Sequence, residues 1–269
     1  MIFGRFFEKV KKEGEDSAQE SKVRESRGGK ETYSTPEEKT LSEGELEKQQ
    51  TLLGGCGGAE FVKVKGDGAG VLKTNEGFTE RWFRKYSSPE EGRAQLAKNE
   101  RAAYLVNLFL GFDFVPPTVI RSVKGKTASL QQFVENAKTY SEHLDEFHAN
   151  PDSQHFPGYD RENEKLRFFD YLINNYDRHC GNYLVQGSKL IAIDHGLTFD
   201  DGDRSGWSGE KGTDLIPSEV RSAVERITTD EAQQKVFIGL LSELISENAV
   251  KDLMERIKNA HEYFSKKQS

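Results

Sequence analysis

The sequence predicts an α+β fold, with short strands in the first half of the globular region and helices at its end. Three observations lead to this prediction. Apolar segments bounded by glycine lie between residues 51 and 135, a strand–turn–strand pattern lies at 183–193, and helical periodicity runs from 217 to 267. Alternation with a period of two is typical of strands, whereas apolar residues three or four apart are typical of helices. Strands and helices separated in this way along the chain indicate an α+β fold.

The first 50 residues differ in composition from everything that follows. Residues 13–50 are rich in Glu, Lys, Ser, Gly and Gln and contain almost no apolar side chains. Such a segment cannot bury enough surface to offset the entropy lost on ordering. We therefore predict a disordered N-terminal tail over residues 1–50 and a globular domain over 51–269. Residues 1–12 have the spacing of a short amphipathic helix, which could contact a membrane surface, a partner or its own domain.

The bulk properties of the chain argue against several classes of protein. No stretch approaches the roughly 20 apolar residues that a membrane span needs, and no secretory signal pattern is recognised. The formal net charge of −7 argues against unaided binding to nucleic acid or to anionic lipid. Cys56 and Cys180 lack the histidine spacing of a zinc site. We expect a cytoplasmic monomer with no nucleic-acid partner and at most peripheral membrane contact.

Strands are predicted at 60–64 and 70–73, preceded by a short strand that ends near residue 53. A glycine cluster lies between the short strand and the strand at 60–64. Glycines let backbone N–H groups approach phosphates closely, although a plain hairpin turn explains such a cluster equally well. The strand at 70–73 ends in Lys73, whose ammonium could meet phosphates or simply be exposed. The glycines of the cluster are Gly54, Gly55, Gly57 and Gly58.

A helix is predicted over residues 94–111, with Gly111 as its C-terminal stop. It carries Glu100, which could pair with Lys73 or act as a surface acid that pairs with Arg101. Further along the chain, the pair of prolines before Thr118 fixes an extended entry into a strand. After the central region, three helices are predicted between residues 217 and 267, the second of them capped by Asp230.

Three oxygen-bearing side chains are predicted to converge in the central region. A helix ends near Asn175, and a polar loop follows that Asp177 opens and Asn182 closes. The hairpin then returns Asp194 to the same edge. Hard cations such as Mg²⁺ take oxygen ligands and share them with substrate phosphates. Phosphoryl transfer needs a carboxylate to orient the attacking hydroxyl and further oxygens to hold the metal, so this set indicates that chemistry.

The central region resembles a known family. Residues 177–182 read Asp-Arg-His-Cys-Gly-Asn and residues 193–196 read Ile-Asp-His-Gly. These runs resemble the D-R-x-x-x-N and I-D-x-G motifs of the phosphatidylinositol 3-/4-kinase-like family, most closely its type II phosphatidylinositol 4-kinases and small bacterial relatives. The resemblance implies that Asp177 is catalytic and that Asn182 and Asp194 bind metal. The spacing also matches the protein-kinase loop H-R-D-x-x-x-x-N, except that the arginine here follows the aspartate.

The same resemblance implies a fold and a nucleotide site. The fold would be bilobal and kinase-like, with a small antiparallel β lobe with one helix at about 51–135 and a larger, mostly helical lobe at about 136–269. Lys73 and Glu100 match the strand lysine and the E-x-A-A-Y helix of the family, although the aromatic residue and the proline usually beside the lysine are missing. Residues 129–135 are similar to its hinge, where backbone groups hold adenine. The hinge residues expected at the nucleotide are Gln131, Gln132, Phe133 and Val134.

These observations lead to one expected function and its alternatives. We expect an ATP-dependent phosphotransferase that uses ATP and Mg²⁺ (or Mn²⁺) and transfers the γ-phosphoryl group to a hydroxyl of a phosphoinositide or a protein. The Gly- and Asp-rich residues 199–214 would form an activation or substrate loop. One alternative is a non-catalytic nucleotide-binding pseudokinase that acts as a scaffold, and another is a metal-dependent hydrolase.

Overall fold

The computed structural model describes five stretches of the chain, which contain seven α-helices, a short 3₁₀ helix and two antiparallel sheets. The described residues are 35–52, 58–65, 68–149, 156–200 and 215–266. The strands are β1 (Leu46–Thr51), β2 (Ala59–Val64), β3 (Gly68–Lys73), β4 (Thr118–Val123), β5 (Lys126–Gln132), β6 (Lys138–Thr139), β7 (Tyr183–Gln186) and β8 (Lys189–Ala192). The helices are α1 (Pro36–Glu43), α2 (Pro89–Phe109), α3 (Tyr140–Ala149), α4 (Tyr159–Leu172), α5 (Ser218–Thr229), α6 (Glu231–Leu241) and α7 (Glu247–Lys266).

The small lobe is a five-stranded antiparallel sheet in the order β1-β2-β3-β5-β4, with helix α2 packed on one face. Helix α2 begins where the Ser88 hydroxyl accepts the Glu91 N–H, with Pro89 in the first turn. It ends before Gly111, whose φ of 71° is the left-handed conformation that glycine adopts readily. The predicted helix is therefore confirmed, and it starts at Pro89 rather than at residue 94.

The large lobe contains the three-stranded sheet β6-β7-β8 and helices α3 to α7. The β7–β8 hairpin turns at Gly187, where φ is 59°, as the sequence indicates. A cluster of aromatic rings joins the end of α2 to α4, with the Phe112 and Phe169 ring centroids 5.3 Å apart. The three C-terminal helices are confirmed, and the Asp230 carboxylate accepts the first N–H groups of α6. The expected bilobal α+β architecture is thus confirmed.

The predicted disordered tail is wrong for residues 36–50, which form α1 and most of β1. The prediction from amino-acid composition fails because contacts with the sheet order this segment. Strand β1 pairs along its length with β2, and α1 buries Leu41. Pairing with a neighbouring strand satisfies the backbone N–H and C=O groups of a polar strand, even when that strand contributes few apolar side chains to the core. The described residues from 37 to 266 belong to one compact unit. Residues 1–34, including the suggested helix at 1–12, lie outside the described residues.

No helix in the described stretches is long and apolar enough to cross a membrane.

Candidate active site

Lys73, Glu100 and Asp194 meet between the two lobes. Lys73 is the last residue of β3, and Glu100 lies in the middle of α2. The Lys73 Nζ atom is 2.6 Å from Glu100 Oε1 and 3.0 Å from Asp194 Oδ1. Glu100 is buried, whereas the Asp194 side chain is 47% exposed and faces solvent. The structure therefore brings together three predicted site residues, although Glu100 and Asp194 lie 27 and 121 positions after Lys73 in the sequence.

The charges of this group support one another. Burial alone lowers the pKa of Lys73, but the carboxylates of Asp194 and Glu100 outweigh burial and raise that pKa above its ordinary value. Burial raises the pKa of Glu100, but the Lys73 ammonium and the contact with His195 together outweigh it and hold the pKa below the ordinary range. A lysine and a glutamate that both stay charged give a fixed cation in the cleft, where a phosphate could bind.

The backbone beside Asp194 is also tied to Glu100. Asp194 follows β8 with a φ of 59°, a left-handed conformation that aspartate tolerates better than most residues. This turn aims the His195 N–H at Glu100 Oε2, at 3.0 Å. The two carboxylate oxygens of Glu100 thus hold different partners, Lys73 and the segment that carries Asp194. The His195 ring is fully buried against Phe169, and burial lowers its pKa.

Asp177 lies midway along the loop between α4 and β7, and Asn182 is the last residue of that loop; the loop begins after Leu172, earlier than the sequence predicts. The Asn182 amide nitrogen donates to the Asp177 carbonyl at 2.8 Å and lies 3.4 Å from its carboxylate Oδ2. Ile193, next to Asp194, donates its N–H to the Asn182 carbonyl at 3.1 Å. These bonds bring the loop and the segment carrying Asp194 side by side. The structure therefore places all three predicted oxygen-bearing side chains in one region.

An arginine clamp, which the sequence does not predict, fixes this loop. Arg178 pairs with Asp170 of α4 through two bonds, from Nε at 3.0 Å and from Nη2 at 2.9 Å. Its Nη1 donates to the carbonyl of Asn182 and, at 2.8 Å, to that of Ile193. Asn175 also donates to Asp170, at 2.9 Å, and accepts the Asp177 N–H. One side chain thus joins helix α4 to both segments that carry the oxygen-bearing residues.

The chain matches the family model described as phosphatidylinositol 3- and 4-kinase over residues 101–255, more than half of its length. The chain belongs to the phosphatidylinositol 3- and 4-kinase family. The predicted family is therefore confirmed, while the closer likeness to its type II lipid kinases stays a prediction. No curated protein sequence matches the chain.

Solved structures show the fold that this family member shares. The structure of hydra Fam20 with sugar has a TM-score of 0.53 at 14% identity, covering 85% of this chain and 87% of that one. The Golgi casein kinase with Mn/ADP bound has a TM-score of 0.51 at 14% identity, covering 84% and 74%. The Helicobacter pylori proinflammatory kinase CtkA has a TM-score of 0.50 at 15% identity, covering 81% and 92%. At these identities the likeness concerns the fold alone.

The donor atoms of this family member suit a hard cation shared with phosphate. Asp194 offers a half-exposed carboxylate. The Asn182 amide nitrogen is engaged with Asp177, so its amide oxygen is the atom that would bind metal. Within the described stretches, no group of three or more His, Cys, Asp or Glu side chains is arranged to hold a metal by itself. Mg²⁺ often takes only one or two protein carboxylates and completes its shell with water and substrate phosphates. The residues present therefore fit Mg²⁺ bound together with a nucleotide.

The hinge residues occupy two different environments. The Gln131 side chain is buried and donates to the Thr118 hydroxyl at 2.9 Å, so it serves the sheet. Phe133 is 36% exposed, its ring meets that of Phe61 at 4.9 Å, and its N–H donates to the Ala69 carbonyl. Gln132, Phe133 and Val134 line a groove together with residues of the β7–β8 hairpin.

Half-buried Phe61 is a candidate nucleotide contact that the sequence reasoning missed. It pairs in register with Val71, on the face of the sheet that also carries Lys73. Strand alternation could have found it, since residues two apart share a face.

The predicted glycine cluster is mostly outside the described residues, which include neither Gly54, Gly55 nor Gly57. Gly58 directly precedes β2 with a φ of 68°. That conformation suits glycine. Phosphate binding by this cluster stays a prediction.

A third unpredicted residue of this family member, Asn99, ties α2 to the segment after Asp194. The Asn99 amide nitrogen donates to the carbonyls of Gly196, at 2.8 Å, and Thr198, at 2.9 Å. Gln95 donates to the Asn99 side-chain oxygen and to the Leu244 carbonyl of the large lobe. A buried asparagine needs such partners, and here they fix the helix carrying Glu100 to the segment carrying Asp194.

The pH dependence of stability should report on Glu100. Its pKa is depressed in the folded state, so the unfolded chain binds the proton first as pH falls. Stability from this group is therefore complete above the ordinary value of 4.5 and is lost as pH falls through the depressed value. We expect Glu100→Gln to reduce the slope of unfolding free energy against pH below 4.5 by up to about 1.4 kcal/mol per pH unit.

Urea unfolding at several pH values measures this slope. Glu255→Gln is a suitable control, because that carboxylate is exposed on α7. Equal slopes for wild type and Glu100→Gln would contradict the assignment of a depressed pKa to Glu100.

Proposed function

We propose that the protein is a kinase that transfers the γ-phosphoryl group of ATP, bound with Mg²⁺ or Mn²⁺, to a hydroxyl of a protein or a phosphoinositide. One observation carries the proposal. The Lys73–Glu100–Asp194 group and the Asp177–Asn182 loop lie side by side between the lobes, joined by backbone hydrogen bonds. Phosphoryl transfer relies on positioning and charge neutralisation, and these are the groups that it needs.

Each residue has a role in the proposal. Lys73, held charged by Glu100, binds phosphate oxygens. Asp177 orients the acceptor hydroxyl and takes its proton as the phosphorus–oxygen bond forms. Asn182 and Asp194 hold the cation, which when bound neutralises charge on the phosphates. The N–H groups of Gln132 and Phe133 already donate to the carbonyls of Pro117 and Ala69, so the hinge would offer the base its remaining backbone groups, including those of Val134. Its aromatic neighbour Phe61 offers a ring face.

The acceptor is proposed as a hydroxyl on either of two substrate classes. The description of the matched family names phosphatidylinositol kinases, which supports a phosphoinositide. The Golgi casein kinase shares the fold and by its name acts on a protein, which supports a protein acceptor. One scaffold can serve both classes, so the acceptor is decided by experiment.

The experiment follows γ-labelled ATP. The purified protein is incubated with Mg²⁺ or Mn²⁺, a lysate and mixed phosphoinositide vesicles, and label is measured in lipid, protein and free phosphate. We expect label in the lipid or the protein fraction, reduced on the order of 10²–10³-fold in Asp194→Asn. The matched control is Asp230→Asn, because asparagine replaces the aspartate cap of α6 at little cost and lies away from the site.

The distribution of label separates the proposed function from its alternatives. Label in free phosphate alone would favour a metal-dependent hydrolase. Nucleotide binding without label in any fraction would sink the kinase proposal and favour a pseudokinase that acts as a scaffold.

A further inference from the structure

Helix α1 packs on the small lobe beside the helix that carries Glu100. It lies before residue 101, where the family match begins. Its buried residues are Glu38, at 0% exposure, and Leu41, at 2%. A fully buried carboxylate is rarely tolerated without a charged or hydrogen-bonding partner, so its position indicates a specific contact.

The contact is with Arg101, the residue that follows Glu100 on α2. Arg101 Nη1 is 2.6 Å from Glu38 Oε1, and both side chains are at most 1% exposed. The same nitrogen donates to the Thr118 carbonyl at 2.8 Å, at the start of β4. The guanidinium also lies over the Tyr104 ring, 5.3 Å from its centroid. Arg101 therefore joins α1, α2 and the sheet at one buried point.

The other end of α1 is fixed by a second arginine. Arg121 of β4 donates to the carbonyls of Leu41, at 2.7 Å, and Gly44, at 3.0 Å. These carbonyls belong to the end of the helix, where acceptors lack partners within the helix itself. Gly44 lies so close to β2 that a Cβ there would be 2.4 Å from Val64 Cγ1. The helix is thus docked at both ends and has little freedom to slide.

Docking of α1 bears directly on Glu100 because Glu100 and Arg101 are neighbours on one helix. Successive residues of an α-helix are turned by about 100°, so the two side chains face different sides. Glu100 faces Lys73, while Arg101 faces α1. A rotation or shift of α2 that loosens Arg101 must also displace Glu100 from Lys73. Helix shifts of about 1–2 Å are a common switching motion, and a misplacement of that size can cost on the order of 100-fold in rate.

We propose that α1 is a built-in positioning element for the active site, and that the buried Glu38–Arg101 pair sets the rotation and depth of α2. Both are positioning residues, because they act through Glu100 on Lys73. The proposal rests on the proposed kinase function and extends it, since it assigns control of activity to a segment that precedes the matched family region. Anything that undocks α1 lowers activity without touching the nucleotide site.

The test uses the full chain with two variants that loosen α1 from different ends. Glu38→Gln removes the carboxylate charge but keeps the shape, and Arg121→Ala releases the helix end without altering a residue of α2. The expected results are a fall in kcat on the order of 10- to 100-fold and faster amide hydrogen exchange in residues 97–104. Leu253→Ala, in the large-lobe core on α7, is the control that lowers thermal stability by cavity formation alone.

The comparison is made at a temperature where circular dichroism shows every variant folded. Exchange of α2 that is unchanged in both loosened variants, or a loss of kcat no larger than in Leu253→Ala, would overturn the proposal. Arg121→Ala alone decides it if Glu38→Gln fails to fold. Hydrogen exchange can be measured without a phosphoryl acceptor, so it tests the positioning role separately from the kinase function. If the wild type transfers no phosphoryl group but α2 exchanges faster in both variants, the kinase function is rejected and the positioning role is kept.

Discussion

Replacing Asp177 by asparagine is expected to lower kcat by on the order of 10²–10⁴-fold, the range typical for loss of a positioned general base. Asparagine keeps the size of the side chain and its ability to accept a hydrogen bond, but it cannot take a proton at neutral pH. The Asn182 amide bonds to the backbone carbonyl of residue 177, so the loop should keep its conformation. The affinity for ATP should therefore change little.

Steady-state kinetics and a fluorescent ATP analogue measure the two quantities separately. A selective fall in kcat identifies an interaction made in the transition state, whereas a parallel loss of nucleotide affinity would mean that the loop has moved. Asp160→Asn is the matched control, because this exposed aspartate lies in the first turn of α4 and outside the site. A variant with wild-type kcat would remove Asp177 from the catalytic role.

The parts of the site that the sequence predicts are those encoded locally. Asp177 and Asn182 lie five residues apart in one loop, and a short hairpin of fixed register returns Asp194 beside them. Lys73 ends an apolar strand and Glu100 lies on a periodic helix, so each element is visible in its own window of sequence. Their convergence follows once the lobes are arranged, and the family resemblance supplies that arrangement.

Contacts between distant side chains are the parts that the sequence does not predict. Glu38 and Arg101 are 63 residues apart, and Asn99 reaches carbonyls 97 and 99 residues away. No periodicity marks such a pair, because each member appears in its own window as an ordinary polar residue on a helix. The polar composition of residues 36–50 led to a wrong prediction of disorder for a related reason. Their order comes from backbone pairing with β2 and from a partner on α2, and neither is a property of the segment itself.

Asp170 is an exception, because the sequence contained a signal. It lies inside the apolar run Phe168-Phe169-Asp170-Tyr171-Leu172, on a helix whose neighbouring residues are buried. An acid in such a run must be paired or hydrogen-bonded, since burial of an unpaired carboxylate is costly. A search for its partner among nearby cations would have included Arg178, the first arginine of the loop that follows.

Replacing Asp170 by alanine is expected to destabilise the protein by about 3–5 kcal/mol, because it leaves the nearly buried Arg178 charge without its carboxylate. It should also lower kcat, since Arg178 holds the carbonyls of Asn182 and Ile193 in place. Urea unfolding gives the first quantity and steady-state kinetics the second. Lys251→Ala, whose lysine pairs with Glu247 on the exposed surface of α7, is a control expected to cost less than about 1 kcal/mol.

A double variant, Asp170→Leu with Arg178→Met, distinguishes the structural contribution of the clamp from its catalytic contribution. Together they remove both charges, and replacing a buried ion pair by apolar residues of similar size is often neutral or stabilising. We expect the double variant to recover stability relative to Asp170→Ala but to stay low in kcat, because methionine cannot donate to the two carbonyls. Recovery of both quantities would show that the arginine supports the fold only. Recovery of stability alone would explain why the arginine follows the proposed catalytic residue Asp177. From that position it reaches back to α4 and forward to the segment carrying Asp194, and so holds both sides of the site in register.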